Sequence, residues 1–182
     1  VLMLSDHDVA TTQPNGIATK ITGTELSPST QHIIGINTDY SRGSETDAQE
    51  IIDGIKADGG EAHIAHPNWS IGMTKTELDA LNDYLGIEIH NGTVVPGAGS
   101  QNPVTFPGFA VSLWDQLLAT RKNVWGFAVD DLHRFDAFRT HDVGRLQVFA
   151  ASPSVGDIMA ALATGNFVAD VSNHGVTPGY PT

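Results

Sequence analysis

Short apolar runs and amphipathic stretches alternate along this chain. Runs such as VLML (1–4) and VWGFAV (124–129) show no apolar–polar alternation, which is typical of strands covered on both faces. The predicted strands are 1–4, 33–36, 62–66, 86–89, 124–129, 145–151 and 167–171. The pattern therefore predicts a sheet that lies in the interior of the fold.

Helix-like stretches separate these runs. Apolar side chains recur at helical spacing over 46–58, and that segment closes on a Gly-Gly pair. The pattern Thr74-x-x-Glu77 matches a capping box in front of a leucine-rich stretch. Two further helices are predicted from the N-cap candidates Ser112, Asp115, Ser154 and Asp157.

Strands that alternate with helices indicate an α/β fold with a mainly parallel sheet. The 182 residues suffice for one domain with a sizeable core. A complete eightfold barrel usually takes about 250 residues, so the chain is predicted to be a smaller or truncated version of that architecture. The Gly- and Pro-rich residues 92–108 are predicted to form a long loop, which either covers a substrate or is a solvated connection.

Acidic residues outnumber basic ones by 21 to nine, which gives a net charge of −12. This balance disfavours a nucleic-acid track and binding to an anionic membrane surface. A small-molecule substrate is favoured instead, and bound divalent metals would offset part of the negative charge. Eight histidines fit a metal site without requiring one. The oligomeric state is not indicated.

The chain contains no cysteine, which excludes disulfides, thiolate zinc sites, iron–sulfur clusters and a cysteine nucleophile. No run approaches the roughly 20 apolar residues of a transmembrane helix, and no signal peptide is visible. Because the sequence opens on the apolar run VLML, we expect that residues upstream of it are missing. Export cannot then be judged, and the compartment stays open.

Histidine and carboxylate groups follow two of the predicted strands directly. The phrase SDHD (5–8) contains Asp6 and His7, and DDLH (130–133) contains Asp131 and His133. Ionisable groups cannot lie unpaired in an apolar interior, and parallel sheets place their sites at strand ends. Both phrases therefore predict metal ligands, although a capping Asp with a surface His is the alternative for SDHD.

Three further candidates are separated from these phrases along the chain. Glu25 is predicted at a strand end, where it is either a ligand or a solvated carboxylate. His66 ends an apolar strand before a proline and is a ligand candidate, whereas His63 points to the opposite face and is packed or helix-facing. His32 begins its strand, so its spacing alone favours a strand-edge histidine.

The segment GIEIHNG closes another strand with Glu88, His90 and Asn91. An Asn-Gly pair is also an ordinary turn signal, so these residues are assigned either to an outer shell or substrate contact, or to a turn. His141 and His174 lie in turn-rich contexts and are set aside. Hydrolase nucleophile elbows, P-loops and dinucleotide-binding glycine motifs are all absent from the sequence.

In order along nearly the whole chain, five phrases resemble motifs of the polymerase and histidinol phosphatase (PHP) family of metal-dependent phosphoesterases. SDHD is similar to the family's Thr/Ser-Asp-His motif, and TGTE (22–25) with HIIGI (32–36) to its Glu and its His-x-Leu-Gly phrase. AHP (65–67) and DDLH resemble its third motif and its last Asp-x-His. The closing LATGNFVAD is similar to a Gly-x-Phe-Tyr-Ala-Ser ending, with Val168 and Asp170 as departures.

This resemblance implies a distorted (β/α)7-type TIM-like barrel, incomplete at its N-terminus, that forms one metallohydrolase domain over residues 1–182. It implies two to three divalent metals (zinc, manganese or iron) and a ligand set of His7, Glu25, His32, His66, Asp131 and His133. Glu25 would bridge metals, and a metal-bound hydroxide would hydrolyse a small phosphate ester. Asp6 and Arg134 are the candidate catalytic residues, and Arg134 or Arg139 could hold the leaving oxygen.

The family opens with a His-x-His on its first strand, and this sequence contains none. The resemblance therefore implies that the metal cluster is incomplete here or that its first motif lies upstream. Two alternatives to a phosphoesterase stay open. One is a carboxylic ester or amide hydrolase of the same family, and the other is a non-catalytic, degenerate member that keeps the barrel.

Overall fold

The computed structural model describes residues 1–11, 16, 19–28, 31–69, 72–92, 109–120, 124–133 and 144–171, without the side chain of Leu2. Within them the strands are β1 (Leu2–Leu4), β2 (Lys20–Leu26), β3 (Ile33–Ile36), β4 (Glu61–Ile64), β5 (Gly86–Asn91), β6 (Trp125–Val129), β7 (Gly144–Val148) and β8 (Phe167–Val171). The helices are α1 (Ala48–Ala57), α2 (Lys75–Ala80), α3 (Val111–Leu118) and α4 (Val155–Ala163). The predicted alternation of strands and helices is confirmed in outline.

Strands β1 to β6 form one sheet in sequence order. β1 and β2 are parallel, and so are β4, β5 and β6, but β3 runs antiparallel to both of its neighbours. The prediction of a mainly parallel sheet was therefore wrong at β3. Only residues 27–32 connect β2 to β3, which is too short for the crossover of roughly a dozen residues that a parallel return needs.

The last two strands, β7 and β8, form a separate antiparallel pair, with Val148 opposite Phe167. This pair packs against the six-stranded sheet at β6, where the ring of Phe127 lies 5.3 Å from the ring of Phe167. Over the described ranges the six-stranded sheet is open, with β1 and β6 as its edges, and does not show a complete barrel. The fold is thus mixed α/β, and the distorted (β/α)7-type barrel stays a prediction.

Apolar side chains cover both faces of the sheet, as the unalternated strands predicted. On one face Ile33, Ile64 and Ile87 pack with α1, α2 and α3, and on the other Ile34 and Phe127 pack with α4. A fully buried isoleucine contributes about 1.5–3 kcal/mol relative to an exposed one. These two cores hold the strand ends in fixed positions and so support the side chains beyond them.

Three of the four helix starts in this part of the chain follow local capping rules. Asp47 and Ser154 accept hydrogen bonds from the first turns of α1 and α4, and the capping box of Thr74 and Glu77 opens α2. The predicted caps of α3 were wrong, because that helix begins after Ala110 with no side-chain cap. α2 is also shorter than its leucine pattern predicted, because the backbone is extended at Leu81.

The predicted loop 92–108 lies outside the described residues apart from Gly92, so its role is not tested. Among the described helices, none has the length and apolar character that crossing a membrane requires.

Candidate metal centre

Because β3 runs in the reverse direction, four of the predicted ligands lie at the same end of the sheet. His7 forms a parallel bridge with Glu25 just beyond β1, and His66 follows β4. His32 precedes β3, and because β3 is antiparallel, its first residues lie beside the last residues of β2 and β4. Glu25 is paired with Ile34, which shares a face with His32, so both side chains point to the same side.

The three imidazoles of this group converge on one carboxylate oxygen, Oε1 of Glu25. This atom lies 2.7 Å from His32 Nδ1, 3.9 Å from His7 Nδ1 and 3.8 Å from His66 Nε2. His32 Nδ1 also lies 3.1 Å from His66 Nε2. Ligand atoms of His7, Glu25 and His32 all lie within 4.8 Å of one another. Imidazole nitrogen and carboxylate oxygen at this spacing form a donor set that suits a divalent transition metal.

Burial and charge act against each other within this cluster. Glu25 and His66 are buried, whereas the side chain of His7 is half exposed. Burial alone would raise the pKa of Glu25, but the hydrogen bond with His32 at 2.7 Å and the nearby imidazoles of His66 and His7 outweigh it and hold that pKa well below its usual range. Burial lowers the pKa of His66, but the nearby carboxylates of Glu25, Glu88 and Asp131 reverse the sign, so the net shift is upward.

The hydrogen bonding of the cluster fits a cation better than it fits protons. His32 Nδ1 carries at most one hydrogen, yet it faces both Glu25 Oε1 and His66 Nε2. His66 Nδ1 is buried without a hydrogen-bond partner among the described residues. The residues present therefore fit a bound divalent metal.

Asp131 and His133 lie outside this close group, and Asp131 contacts Asn91 and His133 instead. The amide of Asn91 donates 3.1 Å to Asp131 Oδ2 and 3.0 Å to Glu88 Oε2. His133 Nδ1 lies 3.5 Å from Asp131 Oδ1, and its side chain is largely exposed. Burial raises the pKa of Asp131, and the charges of Glu88 and Glu25 raise it further. The close three-ligand group found among the described residues does not include either residue.

Of the two predicted catalytic residues, Asp6 contacts the backbone at the proposed site. Asp6 accepts a hydrogen bond from the backbone N–H of His7 through Oδ1 (2.8 Å), and its carbonyl accepts one from Glu25 N–H (3.0 Å). Asp6 therefore shapes the turn that carries His7. Arg134 lies outside the described residues, as do Arg139, His141 and His174.

Three residues that follow strands at this end of the sheet have a left-handed backbone conformation. The φ angles of Asp8, His66 and Asp131 are 54°, 25° and 48°. Such angles are uncommon for residues other than glycine and persist only where the surroundings hold them. The backbone turns sharply after β1, β4 and β6, and each turn places a polar side chain at the same edge.

Several residues at the site were missed or undervalued from the sequence. Glu88 accepts the backbone N–H of His66 at 2.7 Å, in keeping with the outer-shell alternative that the sequence left open for the end of β5, although its partner there was not predicted. His63 stacks on Phe127, with ring centroids 4.7 Å apart, so the packed alternative is the one observed. The prediction that His63 points to the opposite face was wrong, because it is in register with Ile34, which is paired with Glu25. No sequence signal pointed to Arg42, which forms a bidentate ion pair with Asp8 and so steadies the segment after His7.

One solved structure with a similar fold is a two-domain protein from Bacteroides vulgatus that contains a predicted PHP-like metal-dependent phosphoesterase. Its TM-score is 0.61 and its sequence identity is 20%, over 84% of this chain and 45% of that chain. At this identity the likeness shows a shared fold, and the chain spans less than half the length of that protein. No protein-family model matches this chain, and no curated protein sequence matches it.

Proposed function

We propose that this chain is a metal-dependent hydrolase and that its substrate is a small phosphate ester. The observation that carries the proposal is the convergence of three imidazoles on one oxygen of Glu25. The fold shared with a protein described as a PHP-like metal-dependent phosphoesterase supports the choice of reaction class. The order of motif-like phrases in the sequence supports the same choice.

In this proposal His7, His32 and His66 would hold metal together with Glu25, and Asp131 and His133 would complete the set. Glu25 would be the central ligand, because its carboxylate faces the three imidazoles and its charge also acts on Asp131. When bound, the metals would lower the pKa of a coordinated water and offset charge on the phosphoryl oxygens. Asp6 is then a positioning residue, since it contacts the backbone of His7 and Glu25.

The position of the cluster explains how a small ester could reach it. His7 and His133 have exposed side chains, whereas His32 and His66 are covered. The proposed site is therefore exposed at His7 and at His133 and covered at His32 and His66. A net charge of −12 repels a polyanion, so a substrate with one phosphate group suits the protein better than a nucleic acid.

The test combines metal analysis with hydrolysis assays on the purified chain. Zinc and manganese content would be measured first, followed by turnover of a phosphomonoester, a phosphodiester, a carboxylic ester and an amide. We expect phosphoester turnover that requires metal and falls at least about 100-fold in His66→Ala and in Asp131→Ala, since each removes a proposed ligand. Asp115→Ala, an exposed change on α3, is the matched control and should leave turnover unchanged.

Three results would count against the proposal. Full turnover in both His66→Ala and Asp131→Ala, with metal still bound, would exclude the proposed site. Turnover of the carboxylic ester or amide alone would replace the substrate class and keep the metal site. Metal binding with no turnover of any of the four substrates would favour a non-catalytic module.

A further inference from the structure

Glu88 lies inside the sheet between the two parts of the proposed metal site. Its side chain is buried, and Oε2 accepts two hydrogen bonds, from the backbone N–H of His66 at 2.7 Å and from Asn91 Nδ2 at 3.0 Å. Asn91 Nδ2 also donates to Asp131 Oδ2 at 3.1 Å, and an amide group has two hydrogens for these two acceptors. A continuous chain of contacts therefore runs from His66 through Glu88 and Asn91 to Asp131.

The second oxygen of this carboxylate faces another buried histidine. Glu88 Oε1 lies 3.5 Å from His63 Nε2, and His63 is fixed by stacking on Phe127 at an interplanar angle of 7°. Neither ring nitrogen of His63 has a hydrogen-bond partner among the described residues. The carboxylate of Glu88 is thus held on one side by donors of the site and bounded on the other by a packed ring.

The backbone of His66 requires a contact of this kind. Its φ of 25° lies in a region that non-glycine residues rarely adopt, and such a conformation persists only where the surroundings hold it. The N–H group of His66 is the group that Glu88 binds. Loss of that hydrogen bond would let the segment after β4 relax, and the imidazole of His66 would move with it.

We propose that Glu88 is a positioning residue of the metal site, whose carboxylate holds the backbone of His66 and, through Asn91, sets the place of Asp131. The inference rests on the proposed function only in that the positioned residues are taken as metal ligands. Glu88 itself is not a ligand, because Oε2 is used by two N–H donors and Oε1 faces His63. Partners of this kind around metal ligands commonly change metal affinity by about 10–100-fold when removed.

Two substitutions separate positioning from direct ligation. Glu88→Ala removes the acceptor entirely. Glu88→Gln keeps an amide oxygen that can accept from His66 and Asn91, and its NH2 group can face His63 Nε2, so the geometry is retained without the charge. Glu61→Gln is the matched control, because Glu61 lies on β4 and pairs with Lys56 away from the site.

The measurements are zinc affinity by titration calorimetry and, in metal-free protein, hydrogen exchange of the His66 amide by NMR. We expect Glu88→Ala to weaken zinc binding by about 10–100-fold and to speed exchange at His66. Glu88→Gln should recover most of both losses, and Glu61→Gln should match the wild type. If Glu88→Ala does not fold, slow exchange at His66 in the wild type and its retention in Glu88→Gln still test the proposal.

Two outcomes would overturn it. The first is a His66 amide that exchanges freely in the wild type, or equally slowly in Glu88→Ala. The second is a Glu88→Gln variant that keeps slow exchange but loses zinc as completely as Glu88→Ala, which would make Glu88 a ligand. A wild type that binds no metal would refute the proposed function instead, and the exchange measurement would then decide the role of Glu88 by itself.

Discussion

The two ends of strand β3 both carry polar clusters, and the clusters differ in how their polar atoms are paired. At the end that follows Ile36, Thr38 Oγ1 donates to Asp58 Oδ2, and the N–H of Asp39 donates to the same oxygen at 3.3 Å. The N–H of Tyr40 in turn donates to Thr38 Oγ1 at 3.0 Å. Donors and acceptors are matched there, so the cluster is complete without any added group.

At the other end, before Ile33, the matching fails. Glu25 Oε1 and His66 Nε2 both face His32 Nδ1, which carries at most one hydrogen for the two of them. Both clusters hold a carboxylate whose pKa is lowered against a burial effect that would raise it. A hydroxyl group and backbone amides lower the pKa of Asp58, whereas histidines lower the pKa of Glu25. The two clusters therefore differ in how completely their nitrogen and oxygen atoms are paired, and not in the direction in which the pKa of the carboxylate is shifted.

The largest expected effect comes from Glu25→Gln, because Glu25 is the carboxylate at the centre of the histidine cluster. The change removes the negative charge that three imidazoles face, and an amide nitrogen could then point toward them. We expect zinc or manganese affinity to fall more than the roughly 10–100-fold that outer partners of metal ligands cost. Metal content after dialysis, measured by mass spectrometry, checks the prediction.

Glu50→Gln is the control for that substitution, because Glu50 is exposed in the first turn of α1. It should leave metal content unchanged. If metal content is unchanged in Glu25→Gln as well, the cluster around Oε1 is a packing feature. Like the cluster at Asp58, it would then need no added group.

Sequence patterns predicted most elements of this fold but not the direction of one strand. Apolar runs identified β1, β3 and β6 because core strands must exclude polar groups along their whole length. The direction of β3 is set by the connection over 27–32, and β2 was visible only as the position of Glu25 near a strand end. His32 was consequently doubtful from spacing, although the antiparallel β3 places it beside Glu25.

The rest of the site depends on contacts that no spacing rule contains. The role of Glu88 comes from the left-handed turn at His66, which brings that backbone N–H to a carboxylate 22 positions away. Arg42 reaches Asp8 because the segment after β3 folds back over the end of β1. Strand-end rules locate the edge where a site forms, but long-range pairing decides which side chains at that edge touch.

A smaller effect is expected from Asn91→Ala, which cuts the link between Glu88 and Asp131. Asn91 is buried, and the change leaves two carboxylates without a shared donor. We expect the free energy of unfolding, from urea titration of metal-free protein, to fall by about 1–3 kcal/mol. Asn82→Ala is the control, because the hydrogen bonds at exposed Asn82 use its backbone, and it should change stability by less than about 0.5 kcal/mol. Equal stability of the two variants would contradict the linking role.

The smallest effect is expected at the matched end of β3, from Thr38→Val. This change removes the hydroxyl donor that lowers the pKa of Asp58 most among its partners, and it nearly preserves side-chain shape. A carboxylate with a lowered folded pKa stabilises the protein above its unfolded pKa of about 3.9, and that contribution is lost as the pH falls through the folded pKa. The stability gap between wild type and Thr38→Val should therefore be largest near neutral pH and narrow below about pH 4. The lost hydrogen bond between Tyr40 N–H and Thr38 Oγ1 adds a part that does not vary with pH. Urea titrations at pH 7 and pH 3 check the prediction, and metal content, measured in parallel, should be unchanged. A stability difference that widens on acidification would contradict the assignment of Asp58 as a carboxylate stabilised by its donors.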